Sequence, residues 1–458
     1  MIAKNQTRSG FYKEIFVLVL PIVIQNLIVS SVSFADVLML GQVDQTSLAA
    51  SSLAGQVQFL LNVMYFGLNS ALTILAAQYW GRQDKKTIAK ILGMGLIICM
   101  GISTAVTILS LVCPEGLMRI WTNDTELIRY GAKYLRFVSL SYFFAGISQP
   151  YLTIMKSCER VRLSTVISAV TLGINVILNA VLIFGLLGSP AMGITGAAIA
   201  TSVSRGIELL FCGADYMKQD IIPRDIMNMF AIPRELVSDF IRYSLPAFIN
   251  DAMWGLAFNM NSIIMGHLGE DIVAANSIVT VVRDLVSTAG FGIAAASSIM
   301  LGKEIGFNET DKAKQDASSI LKLSFVVGIV QGAVLLIFTP VIPGLAKLSA
   351  TAAGYLRVML LINTVYQLGA VLNTVLISSL FRCGGDSRYG MILDIICMWC
   401  FAVPLGLISA FVLRLPPLIV YILMCTDEFA KLPFALHHYK SKSWIKNLTR
   451  DFSATTQR

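Results

Sequence analysis

The sequence predicts an all-α polytopic membrane protein with twelve transmembrane helices in two six-helix lobes, which are related by a parallel internal repeat. Three observations predict this fold class: an apolar composition, a series of long apolar stretches, and a self-similarity between the two halves. Hydrophobic residues make up 56% of the 458 residues, charged residues only 14%, and the mean hydropathy is +0.72. A soluble domain carries about 25% charged residues. The composition therefore favours a protein that faces lipid.

The apolar stretches are long enough to cross a bilayer. A spanning helix needs about 20 mostly apolar residues. Stretches that meet this requirement lie at 14–40, 47–80, 88–112, 129–155, 163–188, 193–217, 237–266, 272–302, 316–340, 352–381, 388–413 and 416–439. The polar N-terminus lacks a signal-peptide cleavage site, so we expect the first stretch to remain in the membrane.

The loops between these stretches alternate in basic residues. Cytoplasmic loops of membrane proteins collect Lys and Arg. The basic loops contain, among others, Arg82, Lys85, Lys156, Arg160, Lys218, Arg224, Lys303, Lys312, Arg382 and Arg388. We therefore expect a multi-pass protein of the inner (plasma) membrane with both termini in the cytoplasm. Because the basic residues fall in short clusters between apolar stretches, the net charge of +8 does not indicate a nucleic-acid partner.

The two halves of the chain repeat each other. Residues 20–90 align with 245–315 at a constant offset of 225, which matches Leu20-Pro21 with Leu245-Pro246. Six helices per copy would insert both copies the same way up, as in the parallel repeats of several transporter folds. The predicted regions are an N-lobe (1–218), a cytoplasmic linker (219–236), a C-lobe (237–440) and a cytoplasmic tail (441–458). A cleft between two such lobes favours transport by alternating access.

Three motifs carry a resemblance to a known family. They are AQYWGRQD at 77–84, NVILNAVLIFGLLGSPAMGITGAAIATSVSR at 175–205 and FRCGGDSRYG at 381–390. With these motifs and the duplicated leading helices, the chain resembles the multidrug and toxic compound extrusion (MATE) family over nearly its whole length. The resemblance implies an antiporter that expels organic, often cationic, drug-like compounds against inward H⁺ or Na⁺ flow. A flippase for lipid-linked oligosaccharides or another amphipathic lipid, with the same broader fold, is the alternative.

The candidate ion-coupling residues lie in the first half. Asp36 is the one charged residue between Ile15 and Leu40, and ionisable groups inside a membrane are functional candidates. Asn175 and Asn179 are four residues apart, which places them on one helix face. The resemblance places these three side chains together around a proton or sodium site. Some family members have Asp at the position of Asn179, so a relay of two carboxylates is not expected. A purely structural bond from Asp36 to a neighbouring helix is the other interpretation.

The candidate cavity residues lie in the second half. The repeat mate of Asp36 is Asn261, and the mate of Asp251 is Asn26. Arg283 and Asp284 are adjacent on one predicted helix, and from this we expect that they do not face each other. The full set predicted to line the C-lobe cavity is Asp251, Trp254, Asn259, Asn261, Arg283, Asp284 and Asp394. Some relatives have an acid where this chain has Val371, so we do not expect this chain to share every residue of their ion-coupling scheme.

Two prolines occupy matching positions in the repeat. Pro21 and Pro246 each remove a hydrogen bond inside a predicted helix, which predicts kinks at which the helices bend. A hinge role is one interpretation, and an ordinary proline kink in a membrane helix is the other.

The sequence gives no indication of an enzyme. No GxSxG, HExxH or P-loop motif occurs, and His267, His437 and His438 lie at predicted helix ends. We expect no catalytic residues, no cofactor and no metal beyond a Na⁺ that Asp36 could hold. The expected partners are a small organic substrate and the lipid bilayer, and the expected oligomeric state is a monomer.

Overall fold

The computed structural model describes residues 8–43, 45–345 and 348–450, and these residues form helices joined by turns, with no strand. The α-helices in chain order are α1 (Arg8–Gly41), α2 (Gln45–Gly81), α3 (Lys85–Val112), α4 (Pro114–Met118), α5 (Thr125–Ser157), α6 (Val161–Phe184), α7 (Ile194–Lys218), α8 (Ile226–Phe230), α9 (Arg234–Gly266), α10 (Glu270–Gly306), α11 (Thr310–Phe338), α12 (Ala350–Asn373), α13 (Ser387–Ile395), α14 (Val403–Leu407), α15 (Pro417–Met424) and α16 (Asp427–Ser441). Short 3₁₀ turns lie at Leu186–Gly188 and Ile342–Leu345.

The helices confirm a polytopic membrane protein. In the described parts of the chain, 9 helices are long and apolar enough to cross a membrane. The long helices α5 and α9 are not among them, because charged and amide side chains lower their hydropathy. The last predicted stretch, 416–439, is divided by a turn between α15 and α16. The number of twelve spans stays a prediction.

The described chain forms two compact units, which we call the N-terminal and C-terminal units. The N-terminal unit runs from Ile24 to Phe240, and the C-terminal unit combines the residues up to Val23 with Ile241 to Arg450. Helix α1 therefore contributes its first part to the C-terminal unit and the remainder, which includes Asp36, to the N-terminal unit. The change of unit lies two residues after Pro21. The predicted lobes assigned the whole of α1 to the first half.

The N-terminal unit is held together by close contacts among α2, α3, α5 and α7. Small residues allow helix backbones to approach closely, which is the common way for helices to pack in a membrane. A Cβ atom on Gly146 of α5 would overlap the Ser103 hydroxyl of α3. Beside this contact, a buried cluster contains Leu61, Tyr65, Cys99, Leu135 and Tyr142.

The C-terminal unit has a core of its own between α9, α10, α12 and α15. Its fully buried members include Ile264, Ile272, Leu356, Met359 and Tyr421. The same kind of close approach occurs here, since a Cβ on Gly332 of α11 would lie 2.5 Å from the backbone oxygen of Thr364 in α12.

The C-terminal unit also contains three π-helical segments. They are Thr374–Phe381, which continues α12, and Ile396–Ala402 and Ile408–Val412, which flank α14. The wider turn of a π-helix is rare and occurs frequently at functional sites. The first segment lies between two buried polar side chains, Asn373 and Arg382, and the second follows the buried Asp394.

Candidate ion and substrate sites

The three predicted ion-coupling residues meet in the N-terminal unit. The side-chain amide of Asn179 donates to Asp36 Oδ1 at 2.6 Å and to Asn175 Oδ1 at 3.3 Å. Both asparagines are buried in α6, where their spacing of four places them on one face. The structure thus joins α1 to α6 through a carboxylate and two amides. Such a bond connects two helices whatever the function of the site.

The site extends to α7 through a residue that the sequence reasoning missed. Asn175 Nδ2 donates to Ser204 Oγ at 3.3 Å, and Ser204 is itself buried. The signal for Ser204 was its place in the small-residue helix of the 175–205 motif, but a serine there is equally expected for close packing.

Two features of this site suit a small cation. The oxygen Asn179 Oδ1 is buried and has no hydrogen-bond donor. Within the described residues, no Lys, Arg or His nitrogen lies within 4.0 Å of the Asp36 carboxylate. Carboxylate and amide oxygens are ligands for hard cations, and a carboxylate without a basic partner can equally take up a proton. The arrangement can therefore hold Na⁺ or H⁺.

The C-terminal unit contains a pocket with aromatic walls. Its lining residues are Trp254, Phe258, Arg283, Asp284, Ser287, Gly290, Phe291, Tyr366, Gln367, Ala370, Val371, Thr374 and Glu428. The rings of Trp254 and Phe258 lie 4.2 Å apart between centroids, and the Arg283 guanidinium lies 4.4 Å from the centre of the Phe258 ring. Flat aromatic walls of this kind bind organic compounds through dispersion and cation–π contacts.

Arg283 and Asp284 do contact each other, which corrects the prediction drawn from their adjacency. Arg283 Nε lies 3.7 Å from Asp284 Oδ1. Both side chains are long enough for their charged ends to meet although their Cβ atoms point in different directions, so Cβ directions alone did not decide the contact. The two charges offset each other within the pocket wall.

Asp251 lies outside the lining of this pocket and forms a buried ion pair. Arg382 Nη2 lies 2.6 Å from Asp251 Oδ1, and its Nη1 donates to Asp251 Oδ2 at 3.2 Å. Arg382 Nη2 also donates to Asn250 Oδ1 at 2.7 Å. The sequence analysis counted Arg382 among the basic loop residues, but its side chain is 4% exposed. Arg382 therefore belongs to the interior, and it does not count among the basic residues that indicate which loops face the cytoplasm.

Asp394 also lies outside the pocket lining, and it connects two polar groups of the interior. Asn250 Nδ2 donates to Asp394 Oδ2 at 2.8 Å, and Lys431 Nζ lies 3.2 Å from Asp394 Oδ1. The same ammonium lies 3.4 Å from Asp427 and 2.8 Å from Glu428. Four carboxylates and two basic side chains thus form one connected buried network.

The remaining predicted residues are placed apart from the pocket. Asn259 donates to the Gly255 backbone oxygen of its own helix at 2.9 Å. Asn261 does not line the pocket, and its buried Oδ1 has no donor. Pro21 and Pro246 lie inside the continuous helices α1 and α9. Their role as hinges stays a prediction.

The sequence reasoning missed the charged residues of α16. Asp427, Glu428 and Lys431 have spacings of three and four, which place their side chains together on a helix. That spacing inside an otherwise apolar stretch was a usable signal, because buried charges of opposite sign pair with one another. No sequence pattern connected Arg382 with Asp251, which lie 131 residues apart.

Comparison with known proteins identifies the family. The MatE family model matches twice, at residues 21–181 and 246–408. The two matches start 225 residues apart, which confirms the internal repeat. The uncharacterized transporter YisQ of Bacillus subtilis (strain 168) is 22% identical over 440 residues, covering 94% of this chain and 95% of that protein. The probable multidrug resistance protein NorM of Rhizobium meliloti (strain 1021) is 27% identical over 402 residues, covering 82% of this chain and 83% of that protein.

Solved structures show the same fold. An outward-facing multidrug resistance MATE family transporter of the MOP superfamily superimposes with a TM-score of 0.83 at 20% identity, over 94% of this chain and 96% of that chain. The bent form of the Vibrio cholerae MATE transporter VcmN gives a TM-score of 0.83 at 16% identity, over 96% and 99% of the two chains. Since the family model covers well over half of the sequence, the chain belongs to the MatE family of membrane transporters.

Proposed function

We propose that this protein is a secondary active efflux transporter, which exchanges organic, cationic, drug-like compounds for inward H⁺ or Na⁺ by alternating access. The observation that carries this proposal is the Asp36 site. A carboxylate at membrane depth, bonded to Asn179 at 2.6 Å, has no basic partner within ion-pair distance among the described residues. An uncompensated buried charge is costly, so a site of this kind is expected to bind a cation.

The coupling works through the position of Asp36 on α1. Bound Na⁺ or H⁺ neutralises the carboxylate, and the amide of Asn179 then loses its charged acceptor. The bond between α1 and α6 weakens, because a hydrogen bond to a charged group contributes about 1.5–3 kcal/mol against about 1 kcal/mol for a neutral one. Ion binding thereby changes how α1 is held, which gives ion flow a means to bias the conformations of the transporter.

The C-terminal pocket is the proposed substrate site. Trp254 and Phe258 offer aromatic faces, and Arg283 with Asp284 forms a paired charge in its wall. A flippase for lipid-linked oligosaccharides would need several free cations for a pyrophosphate group. In the pocket as described, Arg283 is the one basic residue, and Asp284 offsets its charge.

We further propose that the transporter works as a monomer in the plasma membrane with both termini in the cytoplasm. Proteins named as probable multidrug resistance proteins among its relatives support the choice of drug-like substrates.

Ethidium efflux from pump-deficient bacteria tests this function. We expect wild type to export ethidium and Asp36→Asn to lose export at equal membrane abundance. Asp311→Asn, which removes a carboxylate that is 91% exposed, is the matched control and should export normally. Dependence on added Na⁺, or loss of export with a protonophore, identifies the coupling ion. No export of any cationic dye by wild type would contradict the proposal and favour the flippase.

A further inference from the structure

The side chains at and next to Glu428, which lines the C-terminal pocket, carry more negative than positive charge. Glu428 lines the pocket, and behind it Lys431 contacts three carboxylates, those of Glu428, Asp427 and Asp394. All four residues are buried.

The charges of this region do not balance. Arg382 compensates Asp251, and Arg283 compensates Asp284, each within ion-pair distance. Lys431 is then left to compensate three carboxylates with one ammonium. With all of them ionised, two negative charges remain without a partner in a buried place. A buried charge without a partner costs several kcal/mol, so the site favours a further positive charge, which either a proton or a bound cation can supply.

A second unsatisfied polar group lies next to Glu428. Asn373, which is 3% exposed, donates its amide N–H to Glu428 Oε2 at 2.7 Å. The other atom of that amide, Oδ1, is buried and has no donor. Buried acceptors without a donor are rare and costly. Asn373 does not itself line the pocket, but its unsatisfied oxygen next to Glu428 adds to the polar groups there that lack a donor or a cation.

Resting on the proposed function, we propose that Glu428 is the carboxylate that binds the positive charge of the organic substrate, and that Lys431 is an internal cation with which the substrate competes. Before the substrate enters, Lys431 occupies Glu428 at 2.8 Å. When a substrate cation approaches from the pocket side, Lys431 still has Asp394 and Asp427 as partners. The pocket therefore accepts a cation without leaving the lysine unpaired.

This arrangement favours aromatic organic cations over small inorganic ones. The walls beside Glu428 include Trp254, Phe258 and Tyr366, whose ring faces attract cations and pack against flat ligands. A compound of the same shape without the charge makes the wall contacts but cannot replace Lys431 at Glu428.

The chain offers a matched pair of variants for the test. Glu428 and Asp427 are adjacent, and each is an ion-pair partner of Lys431, but only Glu428 lines the pocket. With purified protein in lipid nanodiscs, the Kd of ethidium is measured by fluorescence anisotropy. We expect Glu428→Gln to raise Kd at least tenfold. Asp427→Asn should raise it by a clearly smaller factor, less than threefold, because this variant keeps the carboxylate that meets the substrate and removes only one partner of Lys431.

Two outcomes would overturn the proposal: an unchanged Kd in Glu428→Gln, or an equal rise in both variants, which would show a general effect of charge. If Glu428→Gln does not fold, Ala370→Met is the substitute, because it narrows the pocket and leaves the charged residues unchanged. An ethidium Kd equal to that of wild type in Ala370→Met would also contradict the proposal. Ethidium export by wild type together with an unchanged Kd in Glu428→Gln removes this inference and leaves the proposed function intact. If wild type binds ethidium in a Glu428-dependent way but does not export it, the proposed efflux function fails and the binding role of Glu428 stands. If wild type does not bind ethidium at all, both the efflux function and the role of Glu428 fail.

Discussion

The polar sites of the two units compensate their carboxylates in different ways. In the N-terminal unit, Asp36 accepts a hydrogen bond from the Asn179 amide at 2.6 Å and has no basic partner within 4.0 Å among the described residues. In the C-terminal unit, Asp251 meets a guanidinium at 2.6 Å. The acids are also displaced along the repeat, since the mate of Asp36 is Asn261 and the mate of Asp251 is Asn26. The two copies of the repeat therefore differ in where their acids lie.

The difference separates two uses of a buried acid. A carboxylate with a basic partner stays ionised and holds its helix in place. A carboxylate without one changes its charge when a proton or Na⁺ arrives. We therefore propose that the N-terminal site serves a charge that changes, and the Asp251–Arg382 pair a charge that is fixed.

The largest expected effect comes from removing the cation with the most partners. Lys431→Met leaves Asp394, Asp427 and Glu428 without a basic partner among their described contacts. Breaking one buried pair costs about 3–5 kcal/mol, and we expect this variant to lose at least that much stability. The measurement is the thermal unfolding midpoint of the purified protein in detergent. A midpoint equal to that of wild type would show that the network does not hold the unit together.

A slightly smaller loss is expected from the fixed pair. Arg382→Met leaves Asp251 buried and uncompensated and should destabilise the protein by about 3–5 kcal/mol. The double variant Asp251→Asn with Arg382→Met removes both charges and should recover most of the loss. Thermal unfolding of both single variants and of the double variant completes a double-mutant cycle. If the two effects are simply additive, the pair does not act as a unit.

Asp36→Asn is expected to change stability little while it abolishes transport. An asparagine at this position can still accept from Asn179, so the loss should be about 1 kcal/mol or less. The unfolding midpoint and ethidium efflux are measured on the same variant. A large fall in the midpoint would place Asp36 with the structural acids and remove the contrast between the two units.

The smallest effect is expected at the edge of the N-terminal site. Ser204→Ala removes the acceptor of Asn175 and loosens an amide of the ion site. The loss of about 1 kcal/mol corresponds to a roughly fivefold weaker activation by the coupling ion. Ser202→Ala is the matched control on the same helix, because Ser202 donates instead to the Phe137 backbone oxygen at 2.6 Å. Equal effects in the two variants would show that Ser204 acts through helix packing alone.

The sequence predicted the N-terminal site better than the C-terminal network for a physical reason. A lone acid in an apolar stretch and two asparagines four residues apart are local signals, and the structure brings these side chains together. In the C-terminal half, Arg382 looked like a loop residue beside Gly384 and Gly385, because a basic residue at the end of an apolar stretch normally marks the cytoplasmic side. Its partner Asp251 lies 131 residues away, and a local sequence pattern cannot predict a contact between residues so far apart in the chain.

By itself, the sequence determined the all-α membrane fold, the repeat and the lone acid of the first apolar stretch, because hydropathy, periodicity and an unusual charge are properties of the chain. Only the tertiary structure decided which charges compensate one another. In the folded chain, Arg382 pairs with Asp251 and Arg283 with Asp284, and Lys431 contacts three carboxylates. The physical reason is that the free energy of a buried charge depends on neighbours within a few ångströms, and only packing selects those neighbours.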